Sequence, residues 1–534
     1  MMKHEEHSHR CGGGCCGHRV QRVPVGEAAS EGGGFSRRTL LLGLGTVAVG
    51  QWALRAASAR PQATSPIEGQ TVPPGKTLVV KPVLTYYIHQ RPKDRPTSWR
   101  SWGGVKTKED VEEEGKRITR ELAEMAGAAE FPVKILPVSA VRSQKEAEAV
   151  RNGDQDMTLI FASNAGGEVL ETLTGPTRPS IIFVRHKSGP TYLWYEIVHP
   201  RFLRKTVDEY TATGLDVYDV VVDDYNEILW RLRALYGLKN SFGQKIIAIG
   251  DASGWGAGGR NAPQLTRERW HMEIIPVSYD ELGKRIQSAR ADAKRVAKAQ
   301  SDAKALLRQR GVILETKPEF VANAFLLTSI FKDLMAENNT AAMTVNHCMG
   351  TIMPMSETTA CLPLSLLNDE GYMAFCESDF VVIPSGVLLR HISGLPVFLN
   401  DPTYPHDGIV TVAHCTAPRR MDGQHYERTR IMTHFESDYG AAPHVEMRKG
   451  QVITMIDPDF GEKRWYGFTG KTLETPFMDI CRAQVDVTIE GNWKKILEEM
   501  VGFHWMMSYG DYRKEVGYAL KKAGIEWIDV SEKA

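Results

Sequence analysis

The sequence has no charge bias, since 65 Lys and Arg balance 65 Asp and Glu over 534 residues. No polyanion-binding surface is implied, and no nucleic-acid partner is expected. Cysteine is scarce: eight in the whole chain is far below the density of a disulfide scaffold. There is no internal repeat. No G-x-G-x-x-G directly follows the first strand near residue 78, where an exported nicotinamide-dependent sugar oxidoreductase is expected to carry it. A chain that is 42% hydrophobic and 24% charged is not disordered over most of its length. A large buried core is expected, in two to four domains at roughly 100 to 200 residues each.

Residues 1–59 read as a delivery segment. His4, His7, His9 and His18 are mixed with Cys11, Cys15 and Cys16 among glycines, without apolar periodicity. Gly-rich spacing organises no ligand geometry, so a solvated tail is expected there in preference to a metal site. Phe35-Ser36-Arg37-Arg38-Thr39-Leu40-Leu41-Leu42, a short apolar stretch through Trp52 and the small residues Ala57-Ser58-Ala59 resemble a twin-arginine export signal. The resemblance implies a periplasmic or extracellular protein that uses the twin-arginine export machinery, or a membrane-anchored one if the signal stays uncleaved. That route carries folded proteins and suits one loaded with metal before export. The GLGTVAVG inside the segment has no preceding strand and no acidic ribose contact about 20 positions later, so it is not a nucleotide loop.

Residues 60–77, rich in proline, threonine and glycine, form a linker. Strand-like and helix-like stretches then alternate, which predicts α/β layers: one domain over 78–240 and a second over 241–390, with mainly parallel sheets. In the first helix Val111, Ile118, Leu122 and Met125 recur at roughly helical spacing. One long charged helix is expected from Tyr279 to Gly311, its charges a solvent face. The glycine-rich turn in IGDASGWGAGG reverses the chain or cradles an anion. Over 391–534 short β-rich runs predict an antiparallel β-barrel-like domain with a terminal helix. The five cysteines beyond residue 59, Cys348, Cys361, Cys376, Cys415 and Cys481, are expected mostly as buried free thiols.

Two groups of residues can carry chemistry. If Tyr372 to Cys376 form a strand, Glu377 and Asp379 leave its end on the same side, because side chains two apart in a strand face the same way. Two converging carboxylates repel unless a cation lies between them or one stays protonated; on a loop they are ordinary surface charges. The second group is His414, His434 beside Glu436, and His504. Histidines near carboxylates suit a divalent metal such as Mn²⁺, although a lone histidine is more often a structural donor.

The ordered runs CLPLSLLNDEGYMAFCESD, SGLPVFLNDPTY, AHCTAP, HFESDYG and GFHWMMSYGDYRKEVGYALKKAGIEWI, over roughly residues 340–530, resemble the C-terminal half of the L-fucose and L-arabinose isomerase superfamily. The resemblance implies two α/β domains before a β-barrel domain, a homo-oligomer with shared active sites, and a free sugar as substrate. It also implies Mn²⁺-dependent aldose–ketose isomerisation through an enediol. By position, Asp379 would be an acidic ligand of the metal and His504 the histidine ligand. The family's other metal-bound carboxylate comes earlier, where this chain is apolar near Pro363 or Leu364, so Glu377 or Glu357 would replace it. Glu377 or Asp379 would move the proton, and His414, His434 and Glu436 would contact sugar hydroxyls. A non-catalytic sugar-binding or sensing protein that retains the fold is the alternative.

Overall fold

The computed structural model describes residues 72, 75–90, 92–96, 103–203 and 214–532. The twin-arginine motif, the Cys- and His-rich tail and most of the 60–77 linker lie outside the described residues. Among the described residues, no helix is long and apolar enough to cross a membrane.

The fold is α/β, with two parallel sheets followed by an antiparallel-rich C-terminal sheet. The first sheet is built on Leu78–Thr85, which pairs in parallel with Val133–Ile135, Ser139–Val141 and Met157–Ala162. Ser180–Val184 and Val220–Val222 extend it, also in parallel. Met157–Ala162 and Ser180–Val184 are buried at every position, as strands covered on both faces must be. The helix Lys108–Gly127 covers this sheet with Val111, Ile118, Leu122 and Met125, and Thr107 with Asp110 forms a capping box at its start. The second sheet runs Met373–Phe375, Ala342–Val345, Lys245–Ile249, Glu273–Val277, all parallel. One hydrophobic core is continuous across both sheets, each fully buried Leu, Ile, Val or Phe contributing about 1.5–3 kcal/mol of transfer free energy.

The third sheet orders Ala483–Thr488, Ile409–His414, Phe398–Pro402, Trp505–Tyr509, Val452–Pro458, Arg464–Lys471 and Glu526–Asp529. All its pairs are antiparallel except the last. A bridge from Thr472 to Val487 brings its far side back towards its first strand, so the sheet curls into a half-barrel around a second core that includes Trp505, Phe468 and Met455. A small sheet pairs Arg428–Met432 with Ala442–Glu446 and, in parallel, with Val312–Leu314. An ion pair also ties the C-terminal helix to the segment before the last strand of the first sheet, since Lys522 and the Tyr518 hydroxyl both bind buried Asp219 at 2.7 and 2.6 Å.

One expectation is corrected. The long helix from Tyr279 is two helices, Tyr279–Ala291 and Ala293–Leu307. Asp292 takes an extended ψ of 100° and caps the second helix, its side chain accepting from the backbone N–H groups of Lys294 and Arg295. A short carboxylate that bonds free N–H groups at a helix start competes with continuation of the helix through it.

Candidate metal centre

The site forms where the second parallel sheet meets the half-barrel. Glu377 and Asp379 follow the strand Met373–Phe375 at its carboxyl end, the usual place for ligand groups in an open α/β sheet. Strand alternation does not bring them together, because Glu377 and Ser378 have φ of +63° and +48° and the chain turns sharply. They converge through this left-handed turn onto opposite edges of one imidazole. Asp379 Oδ2 accepts from His504 Nδ1 at 2.7 Å, while Glu377 Oε2 lies 3.4 Å from His504 Nε2.

Cross-strand register supplies the rest. Asn400 pairs with Trp505 and Asp401 with Ala413, so Asp401 sits beside both His504 and His414, at one end of three neighbouring strands. Asp401 Oδ1 is 3.1 Å from His504 Nε2, and His414 Nε2 is 3.7 Å from Glu377 Oε1. Glu377, His414 and His504 each present a ligand atom within 4.8 Å of the others. His414 is oriented from behind by Thr416, whose hydroxyl is 2.9 Å from Nδ1.

The electrostatics favour a cation here. Desolvation opposes the charge on Glu377, but hydrogen bonds and charges from His414 and His504 prevail and hold its carboxyl well below the usual range. Burial alone would lower His504; Asp379, Asp401 and Glu377 instead push it well above the ordinary imidazole range. His504 Nε2 and Asp401 Oδ1 are buried and face each other at 3.1 Å, so a proton on Nε2 would be shared with Asp401. A divalent ion held by Glu377, His414 and His504 Nε2 would take the place of that proton. The donor set of carboxylate and imidazole fits a metal such as Mn²⁺.

Asp379 is not placed as a ligand or a base. It is 2% exposed, and its three hydrogen bonds come from His504 Nδ1, the Trp255 N–H at 3.1 Å and the Val381 N–H at 3.0 Å. Such a carboxylate fixes the ring so that Nε2 faces the metal. The glycine-rich turn takes part through Trp255, and Gly254 and Gly259 approach so closely that a Cβ on Gly254 would lie 2.2 Å from the Gly259 carbonyl oxygen. Beside the site the exposed Trp255 and Phe503 rings stack at 3.8 Å and 11°.

The other expected residues lie elsewhere. Glu357 is held by Arg290 at 2.9 Å on the surface and does not reach in. Asp369 is locked to Arg419 at 2.9 Å and Glu370 to Lys332, while Pro363 and Leu364 are buried in the helix Cys361–Asp369. His434 groups with Cys361 and Cys415 and not with Glu377, and Glu436 is exposed. Asp401 went unnoticed in SGLPVFLNDPTY because only pairing of its strand with Trp505–Tyr509 sets it beside His504.

No protein-family model matches the chain, and no curated protein matches it.

Proposed function

We propose that the protein is a metal-dependent aldose–ketose isomerase of the L-fucose and L-arabinose isomerase type, acting on a free sugar through an enediol. The observation that carries this proposal is the convergence of Glu377, His414 and His504, with Asp401 beside them, within the motifs that resemble that family. Glu377, His414 and His504 would hold the ion, with Asp379 keeping the proton of His504 on Nδ1. A divalent metal such as Mn²⁺ held there would supply Lewis acidity for charge that develops on sugar oxygen. Asp401, whose side chain is 27% exposed and whose Oδ1 faces the site beside His504 Nε2, takes the carbon-bound proton and returns it to the neighbouring carbon. The stacked Trp255 and Phe503 offer an apolar wall against which a sugar ring or chain can lie. Export by the twin-arginine machinery and a homo-oligomer with shared active sites belong to the same proposal.

A non-catalytic sugar-binding protein is favoured by one observation: every carboxylate between Thr351 and Gly371 is engaged elsewhere, so the family's early metal carboxylate has no counterpart there. A panel of aldoses incubated with the Mn²⁺-loaded protein in D₂O separates the two. Ketose formation with solvent deuterium entering the sugar at C1 or C2 is expected. Bound Mn²⁺ and bound sugar without ketose or exchange, for every aldose, would replace the isomerase with the binding protein.

A further inference from the structure

A second group of metal-binding side chains lies outside the isomerase site. Cys361 is at the start of the helix Cys361–Asp369, Cys415 directly follows the strand Ile409–His414, and His434 follows the strand Arg428–Met432. Their ligand atoms all lie within 4.8 Å of one another, and the three residues are 4%, 2% and 7% exposed. Two more cysteines flank them. Cys481 packs against Cys361 and Cys415, and Cys348 accepts from the backbone N–H of Ala360, next to Cys361. All of these thiols are free in the structure. The Ala360 N–H donates to Cys348 Sγ at 3.2 Å, a contact that favours a thiolate.

Two sulfurs and an imidazole from three separate segments meet in this buried place, with Cys481 packed against them and Cys348 beside Ala360. A catalytic cysteine needs an open approach for its substrate, and Cys415 has none. The chemistry that suits a closed, sulfur-rich set with one imidazole is coordination of a thiophilic cation.

We propose that Cys361, Cys415 and His434 form a second, structural metal site for a thiophilic cation, Zn²⁺ or Cu⁺, with Cys348 and Cys481 on its two flanks supplying any further thiolate. The ion would pin together a helix of the second domain and two strands of the C-terminal region. Because Cys415 follows His414, it would also fix the strand end that carries one ligand of the first centre. Metal binding here requires loss of the thiol protons to solvent, so it strengthens as pH rises.

The test uses the full chain under reducing conditions, with and without Cys11→Ser, Cys15→Ser and Cys16→Ser, to remove any contribution from the thiol-rich tail. Each form is supplied separately with Zn²⁺ and with Cu⁺, and metal content is measured after exhaustive dialysis. In a Glu377→Gln, His414→Gln background that silences the first centre, one tightly held ion per chain is expected, unchanged by the tail substitutions and reduced at least tenfold when Cys361→Ser or His434→Gln is added. Competition between the two metals then identifies which is held. X-ray absorption at the metal edge of the tail-substituted protein needs no further variant, and remains decisive if either site variant fails to fold; for zinc it should show sulfur at about 2.3 Å. An ion lost with the tail cysteines, a shell of nitrogen and oxygen alone, or a disulfide between Cys361 and Cys415 would overturn the proposal.

Discussion

Asp379→Asn tests how the first centre is organised. The aspartate Oδ1 accepts from the Trp255 and Val381 N–H groups, and the Asn carbonyl oxygen can keep both bonds. The amide nitrogen then replaces Oδ2, 2.7 Å from His504 Nδ1, where two donors cannot face each other. His504 must move its proton to Nε2, the atom that faces Glu377 and Asp401, and so loses the lone pair that a metal needs. Loss of such a supporting carboxylate weakens metal binding by about 10- to 100-fold, or about 1.4–2.7 kcal/mol. Isothermal titration of the metal-free protein with Mn²⁺ reads this directly, with circular dichroism showing that the variant is folded. An affinity within about twofold of wild type would refute the orienting role.

Asp401→Asn should retain Mn²⁺ while kcat falls by about 10²- to 10⁴-fold with little change in KM, and steady-state kinetics on an accepted aldose checks the split. Arg185→Met leaves Glu114 and Glu121 without the guanidinium that now binds each at 2.6 Å, with Glu114 fully enclosed. A loss of about 3–5 kcal/mol in urea unfolding is expected, and a loss under about 1 kcal/mol would contradict it. Glu462 is buried against Trp270 and Thr266, and burial pushes its carboxyl from 4.5 up to about 8. Between those values the folded state keeps a proton that the unfolded state has released. Glu462 therefore makes stability fall as pH rises, by up to about 1.4 kcal/mol per pH unit. Glu462→Gln should flatten the urea midpoint between pH 5 and 8 relative to wild type, and an unchanged slope would count against the burial argument.

Much of the layer order was legible because strands such as Met157–Ala162 and Ser180–Val184 are apolar except at Thr158 and Ser180, while the C-terminal runs are short and separated by turn residues. The break at Asp292 was not, since its flanks share one helical pattern and only the cap bonds reveal the interruption. For the site, Glu377, Asp379, His414 and His504 were visible as residue types in family-like motifs. Their roles were not, because Asp379 and Glu377 address different nitrogens of His504 only after a turn with positive φ. Asp401 was hidden for another reason: its nearness to His504 is made by strand register across about a hundred residues of sequence, which no local pattern records. His434 looked like a companion of His504, yet the pairing of its strand with Ala442–Glu446 carries it to the cysteines.

The most direct test of the central claim is the Mn²⁺ content of wild type beside Glu377→Gln and His414→Gln, each supplied with excess Mn²⁺ and then dialysed. One ion per chain in wild type and none in either folded variant is the predicted result. No ion in wild type, or an ion retained by both variants, would contradict a metal centre built on Glu377, His414 and His504.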